Sequence, residues 1–241
     1  MSYALTTSSW QNGYRMVSFL QIGITMILFV TLPVWKVNKT AEQQEEQHEV
    51  IGIRGAVKIK GVPQLLLGFF SYCALESTLI LWSSSYLVGA KGISAERAAA
   101  YAALFCSGIT LGRFLAGFVT EKLGDHKMIR LGTVILLVGC MAVLLPISSD
   151  MAALAGFVVM GIGCAPIYPS IIHATPANFG EKNSQAIIGI QMASAYVGST
   201  FMPPVFGLIA NHISITLLPA YVLIFIVLMF FMVEKTFRLV R

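Results

Sequence analysis

One acidic residue in a long apolar stretch has the chemistry to bind a solute or a proton. Glu76 lies near the midpoint of the stretch Val62–Val88. An unpaired carboxyl group at the centre of a bilayer costs roughly 3 kcal/mol or more, so it requires a compensating partner or a function. Tyr72 and Ser83 share a helix face with Glu76, and Trp82 flanks that face. We therefore expect either a solute or proton site at Glu76 or a protonated side chain that fixes helix packing.

Gln191 is a second polar candidate inside an apolar stretch. It lies within Ser184–Ala210, next to a row of small residues that favours close helix packing. Its side-chain amide can donate and accept hydrogen bonds. Both a ligand-binding role and a packing role remain open for this residue.

Two proline pairs predict interruptions in membrane-spanning helices. Pro166 and Pro169 follow a glycine-rich segment, and Pro203 and Pro204 form the second pair. Proline removes a backbone donor and disfavours a straight helix. Broken helices at membrane depth are tolerated where they line a cavity, so both pairs predict helix breaks near a binding site or a purely architectural kink.

The chain carries none of the spacings that indicate catalysis or a cofactor. It has neither a nucleophile elbow nor a phosphate-binding Gly-Lys-Thr motif, which excludes ATP hydrolysis by this chain. Its four Cys are scattered through apolar stretches, and the neighbours of His48 do not form a ligand set. We predict that the protein is not an enzyme and that it has no cofactor and no metal site.

Composition places these residues in an all-α membrane protein. Hydrophobic residues make up 56% of the 241 residues and charged residues only 11%, which argues against a soluble enzyme. A membrane-spanning helix needs about 20 mostly apolar residues. Seven stretches meet this requirement: Gly13–Trp35, Val62–Val88, Ser94–Val119, Met128–Ile147, Met151–His173, Ser184–Ala210 and Ile213–Glu234.

The distribution of positive charge predicts the orientation. With a cytoplasmic carboxyl end, all of the 16 Lys and Arg residues except Arg15, Lys91 and Arg97 fall on the inner side. We therefore expect an outer amino end and a plasma membrane location. The net charge of +5 is then explained by the retention of Lys and Arg on the cytoplasmic side, and it does not indicate nucleic-acid binding. We expect these positive charges to contact anionic lipid headgroups.

The chain divides at one long polar segment. Residues 1–35 hold an outer segment and the first span, residues 36–61 form a cytoplasmic loop with an acidic run, and residues 62–241 hold six spans. The acidic run at residues 42–49 is polar enough to be disordered or weakly helical.

The segment Gly112–Lys127 resembles the loop signature of the major facilitator superfamily between its eighth and ninth helices. Tyr72 to Glu76 with Trp82 resembles the seventh helix of the fucose permease-like sugar:proton symporters, and Ala165–Ser170 resembles their tenth helix. The resemblance implies that the chain corresponds to helices six to twelve, with residues 62–241 as the C-terminal half-bundle. An N-terminal half would then be its partner.

In these terms the resemblance implies symport of a small polar solute, such as a sugar, with protons. It assigns a substrate cavity to five residues: Glu76, Trp82, Tyr72, Tyr168 and Gln191. It assigns a gating loop to five others: Gly112, Arg113, Gly117, Glu121 and Gly124.

Two alternatives remain from the topology. Seven spans with an outer amino end also describe a heptahelical receptor, although no Asp-Arg-Tyr motif follows the third span. A non-transporting membrane remnant is the other.

Overall fold

The computed structural model describes residues 10–32, 52–144 and 150–240, in two compact units. The first unit, Met1–Glu49, contains helix α1 (Trp10–Thr31), whose side chains from Tyr14 to Val30 are all exposed. The second unit, Val50–Arg241, contains the remaining described helices. They are α2 (Ile53–Lys58), α3 (Val62–Lys91), α4 (Ala95–Leu123), α5 (Asp125–Leu144), α6 (Asp150–Cys164), α7 (Ile167–Phe179), α8 (Glu181–His212) and, after a 3₁₀ turn at Ile215–Leu217, α9 (Leu218–Val240).

The predicted helical membrane architecture is confirmed. Within the described residues, seven segments are long and apolar enough to cross a bilayer, and each overlaps one of the predicted spans. The helices extend beyond the predicted limits by up to about a turn or two, since polar residues at helix ends keep helical geometry outside the apolar stretch. α6 and α7 together form one span, Ala153–Phe179.

α3 is the central packing element of the second unit. It packs most extensively against α8 and α9, while α6 packs against α4 and α5. Phe69, Tyr72, Leu75 and Leu79 of α3 are at most 2% exposed and recur at three- and four-residue spacing. This buried face fixes the position of the polar residues that follow it on the same helix.

The predicted cytoplasmic loop at residues 36–61 is helical in its last part. Residues 33–51, including the acidic run and His48, lie outside the described residues. Its last part, which was predicted as loop, forms α2, and Ala56 there is fully buried. The compact second unit therefore begins at Val50, before the predicted boundary at Val62.

The two proline pairs behave differently. The chain leaves helical geometry at Ala165 and Pro166, and α7 begins at Ile167, so Pro169 occupies the first turn of α7. Proline is tolerated there because first-turn N–H groups have no helical acceptor.

The predicted second break at Pro203 and Pro204 is wrong, because α8 continues through both residues. The Trp82 indole donates a hydrogen bond to the Pro203 carbonyl (3.0 Å). The Tyr221 hydroxyl donates to the Met202 carbonyl (2.9 Å). Side-chain donors from neighbouring helices thus contact the α8 backbone beside the prolines.

Candidate functional site

An open cavity of about 460 Å³ lies between α4 and the first turn of α7. Its lining residues are Arg113, Ala116, Gly117, Thr120, Tyr168 and Pro169. The α4 members lie on one face because helix residues three or four apart are neighbours. Small side chains leave the space open, and a guanidinium and a phenol supply polar groups. The volume is within the range of about 300–1,000 Å³ that is typical of small-molecule sites.

Tyr168 lies in the cavity wall because the helix break ends just before it. It is the second residue of α7, directly after the turn at Ala165 and Pro166. Its ring contacts the ring of Phe69 (centroids 4.9 Å apart), and its hydroxyl lies 3.4 Å from the Met192 sulfur. A thioether is a weak acceptor, so the hydroxyl retains capacity to bind a polar ligand.

Tyr72 supports the cavity wall from behind. Its side chain is fully buried, and its hydroxyl donates a hydrogen bond to the Cys164 carbonyl (2.9 Å). Cys164 is the last residue of α6, where helix carbonyls lose their intrahelical donors. Tyr72 therefore stabilises the broken end of α6, and its ring lies 6.1 Å from that of Tyr168.

Glu76 is partly buried, one helical turn after Tyr72. Its carboxyl group is within electrostatic range of the Tyr72 hydroxyl and of the Arg113 guanidinium. Arg113 also acts on the Tyr168 hydroxyl. No ion pair to Glu76 forms within residues 52–144 and 150–240. The structure thus places a carboxyl group, a guanidinium and a phenol near one another without an ion pair, although Glu76 itself does not line the cavity.

Trp82 packs α3 against α8 and does not line this cavity. Besides its hydrogen bond to the Pro203 carbonyl, its ring meets that of Phe206 edge to face, with centroids 5.5 Å apart. Gly207 leaves room for the indole because it has no side chain: a Cβ atom there would lie 2.8 Å from the ring. Its observed contacts are those of a helix-packing residue.

Gln191 joins α7 to α8. Its side chain is fully buried, and its Oε1 accepts a hydrogen bond from the Thr175 hydroxyl (3.2 Å). Its buried Nε2 finds no acceptor in the described part of the chain. One donor therefore stays available, although it does not line the cavity between α4 and α7.

The five residues of the predicted gating loop have different surroundings. Gly112 is buried against the α6–α7 break, where a Cβ atom would lie 2.6 Å from that of Ala165. Arg113 and Gly117 line the cavity. Glu121 is exposed near the end of α4. Gly124 connects α4 to α5 with a φ of 73°, a conformation that favours glycine.

Thr120 and the cavity position of Arg113 were not predicted from sequence. A signal for Arg113 was present, because an arginine within an apolar span indicates a functional site. The motif match assigned it to a loop instead. Thr120 has no such signal, since its hydroxyl donates to the Ala116 carbonyl of its own helix (2.7 Å).

The fold is similar to solved structures of the fucose:proton symporter FucP. One structure, in the outward conformation, gives a TM-score of 0.59 at 17% sequence identity, covering 73% of this chain and 43% of that chain. A structure of a variant of the E. coli symporter gives a TM-score of 0.60 at 17% identity, with coverage of 73% and 43%. At this identity, the likeness establishes the fold alone.

The sequence matches transporters directly. An uncharacterized MFS-type transporter of Yersinia pestis is 26% identical over 160 residues, which span 63% of this chain and 40% of that protein. The chain thus matches less than half the length of these relatives. The sequence model of the Major Facilitator Superfamily matches residues 2–146 and 64–240, which confirms the resemblance found in the motifs. The chain belongs to the Major Facilitator Superfamily.

Proposed function

We propose that this chain supplies the C-terminal half of a secondary transporter that moves a small polar solute together with protons. The observation that carries the proposal is the cavity between α4 and α7, where Arg113 and Tyr168 present polar groups with Glu76 nearby. An N-terminal half would complete the path across the membrane, and Glu121 and its neighbours near the α4–α5 connection would control its opening.

A sugar fits the chemistry of this cavity. The Arg113 guanidinium donates hydrogen bonds and the Tyr168 phenol both donates and accepts them, which matches a ring that carries several hydroxyl groups. The ring of Tyr168 adds apolar surface beside these groups, and the buried rings of Phe69 and Tyr72 pack against it from behind. The fucose:proton symporter among the fold relatives supports the same solute class.

Glu76 is the candidate for proton transfer. A carboxyl group in a membrane-spanning helix that is held without an ion pair can gain and lose a proton as its surroundings change. Arg113 is within electrostatic range of this carboxyl group, so a movement of α4 relative to α3 would change the charge environment of Glu76. This assignment makes Glu76 the coupling residue and Arg113 its regulator.

We keep the orientation proposed from the distribution of Lys and Arg. In this orientation, the start of α5 and the end of α9 lie on the cytoplasmic side of a plasma membrane. Single cysteines at Gln44 and Ser149, in a background without the four native cysteines, should be labelled from opposite sides. Labelling of both from one side contradicts this topology.

The transport proposal is tested with the complete transporter in proteoliposomes. An inward proton gradient should drive accumulation of a labelled sugar, and a protonophore should abolish it. Glu76→Gln should abolish accumulation and retain sugar exchange. If Glu76→Gln retains both exchange and accumulation, Glu76 is not the coupling residue. If the parent transporter takes up no sugar, the proposed solute class is wrong.

A receptor with seven helices was the alternative from another class of protein. Membership of the transporter superfamily decides against it. A non-transporting remnant is the remaining alternative, and it predicts no uptake of any solute after completion with an N-terminal half.

A further inference from the structure

A second open groove lies where α5 begins and α9 ends. It has a volume of about 600 Å³ and combines cationic with aromatic and aliphatic lining. The lining residues are Arg130, Phe230, Phe231, Met232, Glu234, Lys235 and Arg238. This groove shares no lining residue with the cavity between α4 and α7.

The single carboxylate of the groove is already paired. Glu234 accepts hydrogen bonds from Arg130 Nε (2.6 Å) and Nη2 (2.7 Å), and its Oε1 lies 2.9 Å from His126 Nε2. The Arg130 side chain is nevertheless 52% exposed. Glu234 therefore orients the guanidinium from one edge and leaves its other edge accessible.

Lys235 and Arg238 add positive charge that the groove does not neutralise. Both residues are exposed, and neither has an ion-pair partner in the described ranges. They are three residues apart on α9, so they lie on adjacent turns of one face. Three cations against one carboxylate leave a surplus of positive charge that suits an anionic group.

An exposed apolar face continues from the groove along both helices. On α9, Phe231, Val227 and Ile224 are 61%, 43% and 64% exposed at four- and three-residue spacing. On α5, Leu131 and Val134 are 42% and 57% exposed. The surface thus changes from cationic at the helix ends to apolar towards the middle of the span.

We propose that the α5–α9 groove binds an anionic phospholipid. Arg130, Lys235 and Arg238 contact its phosphate, and Phe231 and the apolar face beyond it contact its acyl chains. Basic pockets between membrane helices bind anionic headgroups, because their cations lie at the level of the lipid phosphates and the apolar helix faces lie at the level of the acyl chains. A free phosphate ion would leave the apolar surface uncovered, and an apolar protein helix would leave the cations unpaired.

Photo-crosslinking of the full chain in phosphatidylcholine nanodiscs tests this site. Trace photoreactive phosphatidylglycerol or photoreactive phosphatidylcholine is added, and crosslinked peptides are mapped by mass spectrometry. We expect phosphatidylglycerol to label the peptides that contain Leu131 and Phe231 several-fold more than phosphatidylcholine does. The double variant Lys235→Gln/Arg238→Gln should weaken this labelling roughly 10-fold or more, since each cation near the surface contributes separately.

The matched control is Lys58→Gln/Lys182→Gln. Both lysines are exposed at the same end of the bundle but outside the groove, so labelling of the groove peptides should be unchanged. Equal labelling by the two lipids, or unchanged labelling in Lys235→Gln/Arg238→Gln, overturns the proposal. Competition by glycerol phosphate as effective as that by phosphatidylglycerol would also overturn it, because the site would then bind a free phosphate and not a lipid.

Discussion

Glu76 and Glu234 are two carboxylates of apolar, membrane-spanning helices with opposite surroundings. Glu234 on α9 is bonded by Arg130 and lies against His126, which ties α9 to α5. Glu76 on α3 forms no ion pair within residues 52–144 and 150–240, and its nearest polar groups include the Tyr72 hydroxyl and the Arg113 guanidinium. A carboxylate whose acceptor capacity is satisfied by its own protein stabilises the fold, whereas one left with free capacity is suited to a ligand or a proton. The surroundings therefore favour a structural role for Glu234 and are consistent with the functional role proposed for Glu76.

The largest expected effect is on uptake by Glu76→Leu in the complete transporter. Loss of the acceptor would leave a solute hydroxyl unpaired in the cavity, which corresponds to roughly 10- to 100-fold weaker uptake. Glu76→Gln keeps an acceptor, so its sugar exchange should be reduced less, although it should not accumulate sugar against a gradient. Uptake by both variants is measured beside thermal unfolding, which should be unchanged. Parent-like uptake by both variants would make Glu76 a packing residue.

Glu234→Leu should show the reverse pattern. It leaves Arg130 and His126 without their acceptor, although the half-exposed Arg130 is partly screened by water. We expect the free energy of unfolding to fall by about 1–2 kcal/mol and the Tm by about 3–6 °C. Uptake per folded molecule should be retained. A loss of uptake with an unchanged Tm would contradict the structural role of Glu234.

Arg113→Met tests whether the cation beside Glu76 belongs to the cavity. Because Arg113 lines the cavity and acts on both Glu76 and Tyr168, its removal should lower solute affinity about 10-fold, the loss of one charged hydrogen bond. Arg113→Lys should restore part of the affinity. If affinity is unchanged and only the ratio of open states shifts, Arg113 acts in gating, as the motif predicts.

Arg130→Lys is expected to have the smallest effect. Lysine keeps the charge but cannot donate from two fixed nitrogens to both Glu234 oxygens. A loss of about 0.5–1 kcal/mol should lower the Tm by roughly 1–4 °C, measured by thermal unfolding in detergent. A decrease as large as that of Glu234→Leu would mean that the geometry of the pair and not its charge stabilises the α5–α9 contact.

The prolines show where prediction from sequence ends. Pro166 and Pro203 carry the same local signal, the loss of a backbone donor. Only the first coincides with a break in the structure, whereas α8 continues through Pro203 and receives hydrogen bonds from Trp82 and Tyr221 beside it. These donors are 121 and 19 residues away in the chain. No local pattern contains that information.

The sequence by itself determined the seven spans, the helical class and the superfamily, because each follows from local hydropathy or from a contiguous motif. It also singled out Glu76, since an acid in an apolar stretch is visible without a structure. The tertiary structure decided which neighbours each polar group has. In the folded chain, Tyr72 donates to the Cys164 carbonyl, Gln191 is buried and accepts from Thr175, and Arg113 lines the cavity. The physical reason is that hydrogen bonds and charge pairs depend on distances between helices, which spacing along one helix does not specify.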